Sequence, residues 1–183
     1  MATVALQQVT NKFARDNAGK TLEKPVRIKF ISKFLTPEVN QLLESECAGG
    51  AVFVWGAKLE RIHQFVKMPP RRCLVLFRRG LTIYKCGVII ESVVNVKLAE
   101  NLWGFDSDGE TWALVYLLKN VHDISIPAAD VNRLIGRVPT DHWQGLVAVS
   151  PPEANAVIAL AKSHVDASRS NPRMQRTPVS GRR

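Results

Sequence analysis

The side chains with most chemistry to offer in this sequence are its tryptophans, Trp55, Trp103, Trp112 and Trp143. Trp55 ends the apolar run Ala51–Trp55 and stands directly before Gly56, which predicts a ring at a rim where the backbone turns. Trp103-Gly104-Phe105 opens a loop that runs through Asp106-Ser107-Asp108-Gly109 to Trp112. A large aromatic in a loop rich in Gly and Asp is costly to expose unless it packs against something. Two aromatic planes facing each other make a slot for a flat heteroaromatic ring, and stacking a nucleobase on an aromatic contributes roughly 1–3 kcal/mol. A base reaches such a slot from a duplex only by leaving its stack, at a cost of a few kcal/mol. The expected pocket residues are therefore Trp55, Gly56, Trp103 and Phe105, with Trp103 and Phe105 as alternatives for the second wall. Trp112 and Trp143 border strand segments and read as core.

Charge is distributed unevenly. Residues 55–88 carry eight basic groups against one acid, residues 89–161 four against nine, and residues 162–183 six against one. A basic block gains by releasing counterions condensed on phosphates, so a nucleic acid is the implied partner. Arg71, Arg72, Arg78, Arg79 and Lys85 are the candidate phosphate contacts, and solubility alone is the competing account of them. Asp106, Asp108 and Glu110 read as a solvated acidic loop.

Several chemistries are absent. There is no G-x-x-x-x-G-K-[ST] phosphate loop and no G-x-S-x-G nucleophile elbow. His63, His122, His142 and His164 form no helix-face pair of metal ligands. Cys47, Cys73 and Cys86 are odd in number and widely spaced, which fits neither a disulfide framework nor a zinc cluster and suggests a reducing cytoplasm. No cofactor motif, secretory signal or run of 18 apolar residues is present, so neither a cofactor nor a membrane is expected.

Around these residues the pattern predicts an α+β domain of many short strands. The first 25 residues are polar and read as loose. Val26–Phe30 alternates at period two and reads as a strand. Thr36-Pro37-Glu38 starts a helix, with a hydroxyl N-cap, proline at the first helical position and an acid in the first turn. Strands are expected at Ala51–Trp55, Cys73–Arg78, Leu81–Val94, Trp112–Lys119, Val121–Ile126 and Gly145–Val149. Helices are expected at Val96–Trp103, Ala128–Ile135 and from Pro151 to about Val165. Residues 26–165 then form one domain. Residues 166–183 form a basic tail with almost nothing to bury, expected to be disordered.

Residues 51–149 resemble the EVE/YTH-like group of the PUA-like superfamily, and within it the N-terminal modified-DNA reader domains of archaeal McrB-type restriction proteins. The resemblance rests on AVFVWG (51–56), RRCLVLFRRGLTIYKCGVII (71–90), LAENLWGFDSDGETWALVYLLKNVHDISIP (98–127), VNRLIG (131–136) and HWQGLVAV (142–149). It implies a small bent β-barrel with flanking helices and a pocket that takes a flipped, modified base, with N6-methyladenine favoured. Trp55 matches the tryptophan ending the first barrel strand. Trp103 or Phe105 falls in the loop supplying another wall, and a third cage aromatic has no match. DNA is favoured over RNA as partner. The restriction proteins fuse this domain to a motor that this chain lacks, which implies either an orphan reader or one subunit of a split system with a separate effector. The tail resembles reading-frame ends in mobile gene cassettes.

The implied function is a reader without catalysis. Two other readings stand beside it. One is an ASCH-like amidohydrolase acting on modified nucleosides, with Thr82, Lys85 and Glu91 on one strand. Residues 82 and 85 fall on opposite faces of a regular strand, so this needs a bulge between them. The other is a defence adaptor with a vestigial pocket that binds protein.

Overall fold

The structure, a computed structural model, describes residues 2–170. Seven strands form one mixed sheet: β1 (Thr3–Gln8), β2 (Val26–Arg27), β3 (Ala51–Ala57), β4 (Cys73–Arg79), β5 (Thr82–Val94), β6 (Leu114–Pro127) and β7 (Leu146–Val149). Their spatial order is β2-β3-β6-β5-β4-β1-β7. β1 pairs parallel with β4, and the other pairings are antiparallel. The architecture is α+β, as expected.

The sheet bends because its two longest strands are irregular. Between β5 and β6 the register shifts at Ile83/Lys85, Cys86/Val88 and Ile89/Glu91. Each extra residue kinks its strand and increases the local twist. Asn120 occupies one bulge with φ +51°, so β6 runs continuously where a break between Lys119 and Val121 was expected. Opposite it, a Cβ at Gly87 would stand 2.9 Å from Val121 Cγ2, so a side chain would force the two strands apart.

Bending gives the sheet two cores. Ala5, Val75 and Phe77 face the inner one, with Trp55 and Tyr116. Val4, Leu6 and Leu76 face the outer one, with Trp143 and the helices α6 (Ala128–Leu134) and α7 (Pro151–Ser170). The inner core is covered by α1 (Lys12–Thr21), by α3 (Pro37–Glu46) and by α5 (Val96–Trp103). α3 starts as its sequence dictates, with Thr36 Oγ1 accepting from Val39 N at 3.4 Å. The remaining short helices are α2 (Ile28–Ile31) and α4 (Ile62–Phe65). Gln64 of α4 accepts from Ala148 N at 3.0 Å, satisfying a donor on β7, an edge strand.

Three expectations are corrected. Residues 1–25 are not loose: β1 joins β4 to the edge strand β7, and α1 follows it. β1 is buried on both faces, so it shows no alternation to read. α1 packs through small residues, Ala14 and Ala18 with Asn17 and Thr21. The strand at 26–30 shrinks to two residues, because Ile28 and Ile31 turn into the core as one helical turn and leave Phe30 exposed. The helix from Pro151 continues to Ser170, and the expected tail beyond it lies outside the described residues.

Candidate functional site

The tryptophans cluster, but not as two facing walls. Trp55 is fully buried, its ring centroid 4.8 Å from Trp112 and 5.6 Å from Phe77. Trp103 is 4% exposed and lies 5.5 Å from Trp112. Trp112 therefore occupies the space expected between Trp55 and Trp103. This corrects the slot: β3 is covered on both faces, so Trp55 points into the core rather than standing at a rim. Trp103 is anchored by a hydrogen bond from Nε1 to Thr21 Oγ1 at 3.1 Å, which ties α5 to α1. Phe105 is 57% exposed and outside the cluster. Trp143 is core as expected, donating to Asn132 Oδ1 at 2.7 Å.

An open cavity of about 260 Å³ lies directly against this cluster. Trp112 and Gly56 form its apolar side, and Gln7, Gln8, Thr10 and Asn11 its polar side. It sits where β1 and β3 end together, so backbone and side chains from two strand ends converge there. Gly56 is required: a Cβ would lie 2.8 Å from Trp103 Cζ3 and 2.9 Å from the Trp112 carbonyl oxygen. Gln7 is oriented by Tyr116, whose hydroxyl donates to Gln7 Oε1 at 2.6 Å. Complete burial pushes the Tyr116 pKa well up, so the phenol keeps its proton and stays a donor. Gln7 thus spends its side-chain oxygen on Tyr116, inside the core. Asn11 caps α1, accepting from Ala14 N at 2.7 Å.

The mouth is charged. Lys58 Nζ lies 2.6 Å from Asp106 Oδ2, 2.7 Å from Glu110 Oε2 and 3.4 Å from Asp108 Oδ2. Hydrogen bonds that Lys58 donates to Asp106 and Glu110 raise its pKa, and the same contact lowers that of Asp106. The acidic loop is therefore not simply solvated: Lys58, directly after β3, ties it to the end of that strand. Arg61 lies across Gly145, with Nε 3.2 Å from Glu60 Oε1.

The five expected phosphate contacts separate. Arg78 is 1% exposed. It donates from Nε to Gly80 O and from Nη1 to Asp141 O, both at 2.7 Å, and from Nη2 to His142 Nδ1 at 3.3 Å. Its guanidinium also stacks 5.3 Å over the Trp143 ring. Lys85 is 7% exposed and ion-paired with Asp123. Both are corrections: Arg78 continues the Leu74 and Leu76 side of β4, which packs against Trp143, and Lys85 pairs with Asp123 on β6. Arg79 is exposed at the cavity end of β4, beside Glu23 at 3.0 Å and over the Tyr84 ring. Arg71 and Arg72 lie at the opposite end of the sheet, where β4 begins. The hydrolase set does not converge on the cavity either: Thr82, Lys85 and Glu91 are absent from its lining, although a bulge does separate the first two.

Gln7, Gln8, Thr10 and Asn11 are not legible as site residues in the sequence, because β1 is buried on both faces and shows no alternation. One signal was available, Asn11 ahead of Lys12–Thr21 as a helix N-cap. Trp112 was read as core, and it is both core and cavity wall. Among the described residues no cluster of His, Cys, Asp or Glu has metal-site geometry, and no helix is long and apolar enough to cross a membrane.

No protein-family model matches the chain, and no curated protein does. Among solved structures, the N-terminal domain of McrB from Thermococcus gammatolerans, bound to m5C DNA, superposes with a TM-score of 0.66 at 18% identity. That match covers 88% of this chain and 98% of the McrB domain. A mutant form of the ASCH protein of Zymomonas mobilis is similar at a TM-score of 0.46 and 11% identity, covering 86% and 95% of the two chains. The chain thus shares the fold of the McrB N-terminal domain, the kind of domain that its motifs resemble.

Proposed function

We propose that this chain is a non-catalytic reader of a modified base in DNA, taking the flipped base into the cavity between the ends of β1 and β3. The observation that carries this reading is the cavity's construction. One wall includes Trp112, packed against two further tryptophans, and the other is a set of amide and hydroxyl residues from β1 and the start of α1. Its volume, below the roughly 300–1,000 Å³ of sites for drug-sized ligands, suits one base rather than a whole nucleotide. The aromatic side favours a planar ring, and Gln7, Gln8 and the backbone at Gly56 offer donors and acceptors to its polar edge. Arg61, in the cavity lining, and Arg79, at the end of β4 that pairs with the end of β1, are the cations best placed for the flanking phosphates.

The likeness to a McrB domain bound to m5C DNA supports DNA as the polymer and a methylated base as the target. The family resemblance favours N6-methyladenine, and 5-methylcytosine is the modification named for the Thermococcus domain. A titration settles between them: duplex and single-stranded DNA and RNA, each carrying one N6-methyladenine, one 5-methylcytosine or no modification, at two salt concentrations. A reader binds one modified oligonucleotide about tenfold or more tighter than its unmodified twin, with the ratio preserved as salt rises. Equal affinity across the panel, falling together with salt, leaves only general attraction to phosphate and overturns the reading.

A further inference from the structure

A second cavity lies at the other end of β1, about 17 Å away along the strand at ~3.4 Å per residue. It is a groove of about 500 Å³ between α7 and the outer face of β4, β5 and β6. We propose that it is a binding site for a small anion with an aliphatic body, such as an acyl carboxylate or an alkyl phosphate.

The body is specified by the floor. Leu74, Val88, Ile158 and Val165 line the groove, each only half-buried, so they present aliphatic surface that the fold has not covered. No Phe, Tyr or Trp lines it, and His122 supplies the one ring in its lining, so the wall is mainly aliphatic. Burial raises the pKa of both thiols at its base, Cys73 and Cys86, to about 11, so they stay neutral and apolar.

The head group is specified by the rim. Arg71, Arg72 and Lys162 are exposed there, against one acid, Asp166. Adjacent guanidiniums at the mouth of an apolar groove match a carboxylate or phosphate in charge and in hydrogen-bond geometry. The backbone agrees. Among the described residues, Arg71 (φ +63°) and Asn120 (φ +51°) are the non-glycine residues with positive φ, and both stand on this groove. Asn tolerates that conformation, whereas Arg adopts it at a cost, and such strain concentrates at ligand clamps. A hydrogen bond from Arg71 N to Ile89 O at 2.7 Å holds the turn that presents Arg71. Residues 171–183 carry four arginines and no acid, so like charge argues against the chain's own end as the occupant.

Calorimetric titration of the full chain tests this with decanoate, decyl phosphate, decanol, hexanoate and inorganic phosphate, each below its aggregation limit. At least one of the two ten-carbon anions binds with one-to-one stoichiometry, and which one names the head group. Decanol and hexanoate bind about tenfold or more weakly, and the exposed double variant Arg71→Ala/Arg72→Ala loses at least as much. Decanol binding as well as the anions, an unaffected double variant, inorganic phosphate matching the ten-carbon ligands, or no binding of either anion overturns the proposal.

Discussion

Gly56 and Trp103 meet so closely that the indole occupies the position of an absent side chain, with Cζ3 2.8 Å and Cη2 2.9 Å from where a Cβ would lie. This contact joins β3 to α5 and sets the cavity wall. Gly56→Ala pushes Trp103 off its seat and strains the hydrogen bond to Thr21. Overpacking of this kind costs about 1–3 kcal/mol. Urea unfolding should show that loss, together with weaker binding of modified oligonucleotide.

Arg78 is a structural clamp, and its removal should affect folding rather than nucleic-acid affinity. Arg78→Ala withdraws donors from Asp141 O and Gly80 O and uncovers Trp143. Leaving a buried polar group unsatisfied costs about 1–3 kcal/mol. The urea midpoint should fall, while the salt slope of oligonucleotide binding stays unchanged. Arg79→Ala, on an exposed side chain at the cavity end, should do the reverse and flatten that slope.

The Lys58 cluster makes the acidic loop sensitive to acid. Lys58 holds the Asp106 carboxyl below its ordinary value by hydrogen bonding, with the N–H groups of Asp108 and Glu110 adding to the effect. A group with a depressed folded pKa stabilises fully above its unfolded value, about 3.9 for Asp, and loses that contribution as pH falls through the folded value. Lys58, shifted upward, keeps its own contribution until pH rises through its raised pKa. The loop should therefore stay fastened from about pH 5 to pH 10 and loosen below about pH 4. Acrylamide quenching of Trp112 fluorescence should increase in that acid range, and Lys58→Ala should give the same increase at pH 7.

The cysteines should label in order of burial. Cys47 is half-buried, whereas Cys73 and Cys86 are buried and shifted to about 11. Since the thiolate is the reactive form, iodoacetamide at pH 8 should modify Cys47 first. The other two should follow only on unfolding.

Much of the scaffold was legible in the sequence, because β3, β4, β5, β7, α3, α5 and α6 carry periodicity or capping signals of their own. β1 carried none. Val4 and Leu6 face one core and Ala5 the other, so its pattern is an unbroken apolar run within a polar stretch. With β1 went Gln7, Gln8 and Asn11, and hence the polar half of the cavity. The aromatic half was read with the wrong ring in front. Nothing in the order Trp55, Trp103, Trp112 tells which indole lies between the others, since that depends on how the 104–113 segment folds back along β3. Arg78 escapes the sequence for a different reason: alternation places it on the same side of β4 as Leu74 and Leu76, and only the fold shows that Trp143 and the Asp141 carbonyl cover that side.

The four indole N–H resonances give the most direct measurement. Titrating the chain with a DNA oligonucleotide carrying one methylated base should shift the Trp112 resonance strongly and the buried Trp55 and Trp103 less. Trp143, in the other core, should remain unmoved. Saturating, modification-dependent binding that leaves Trp112 where it began would contradict a base seated between the ends of β1 and β3.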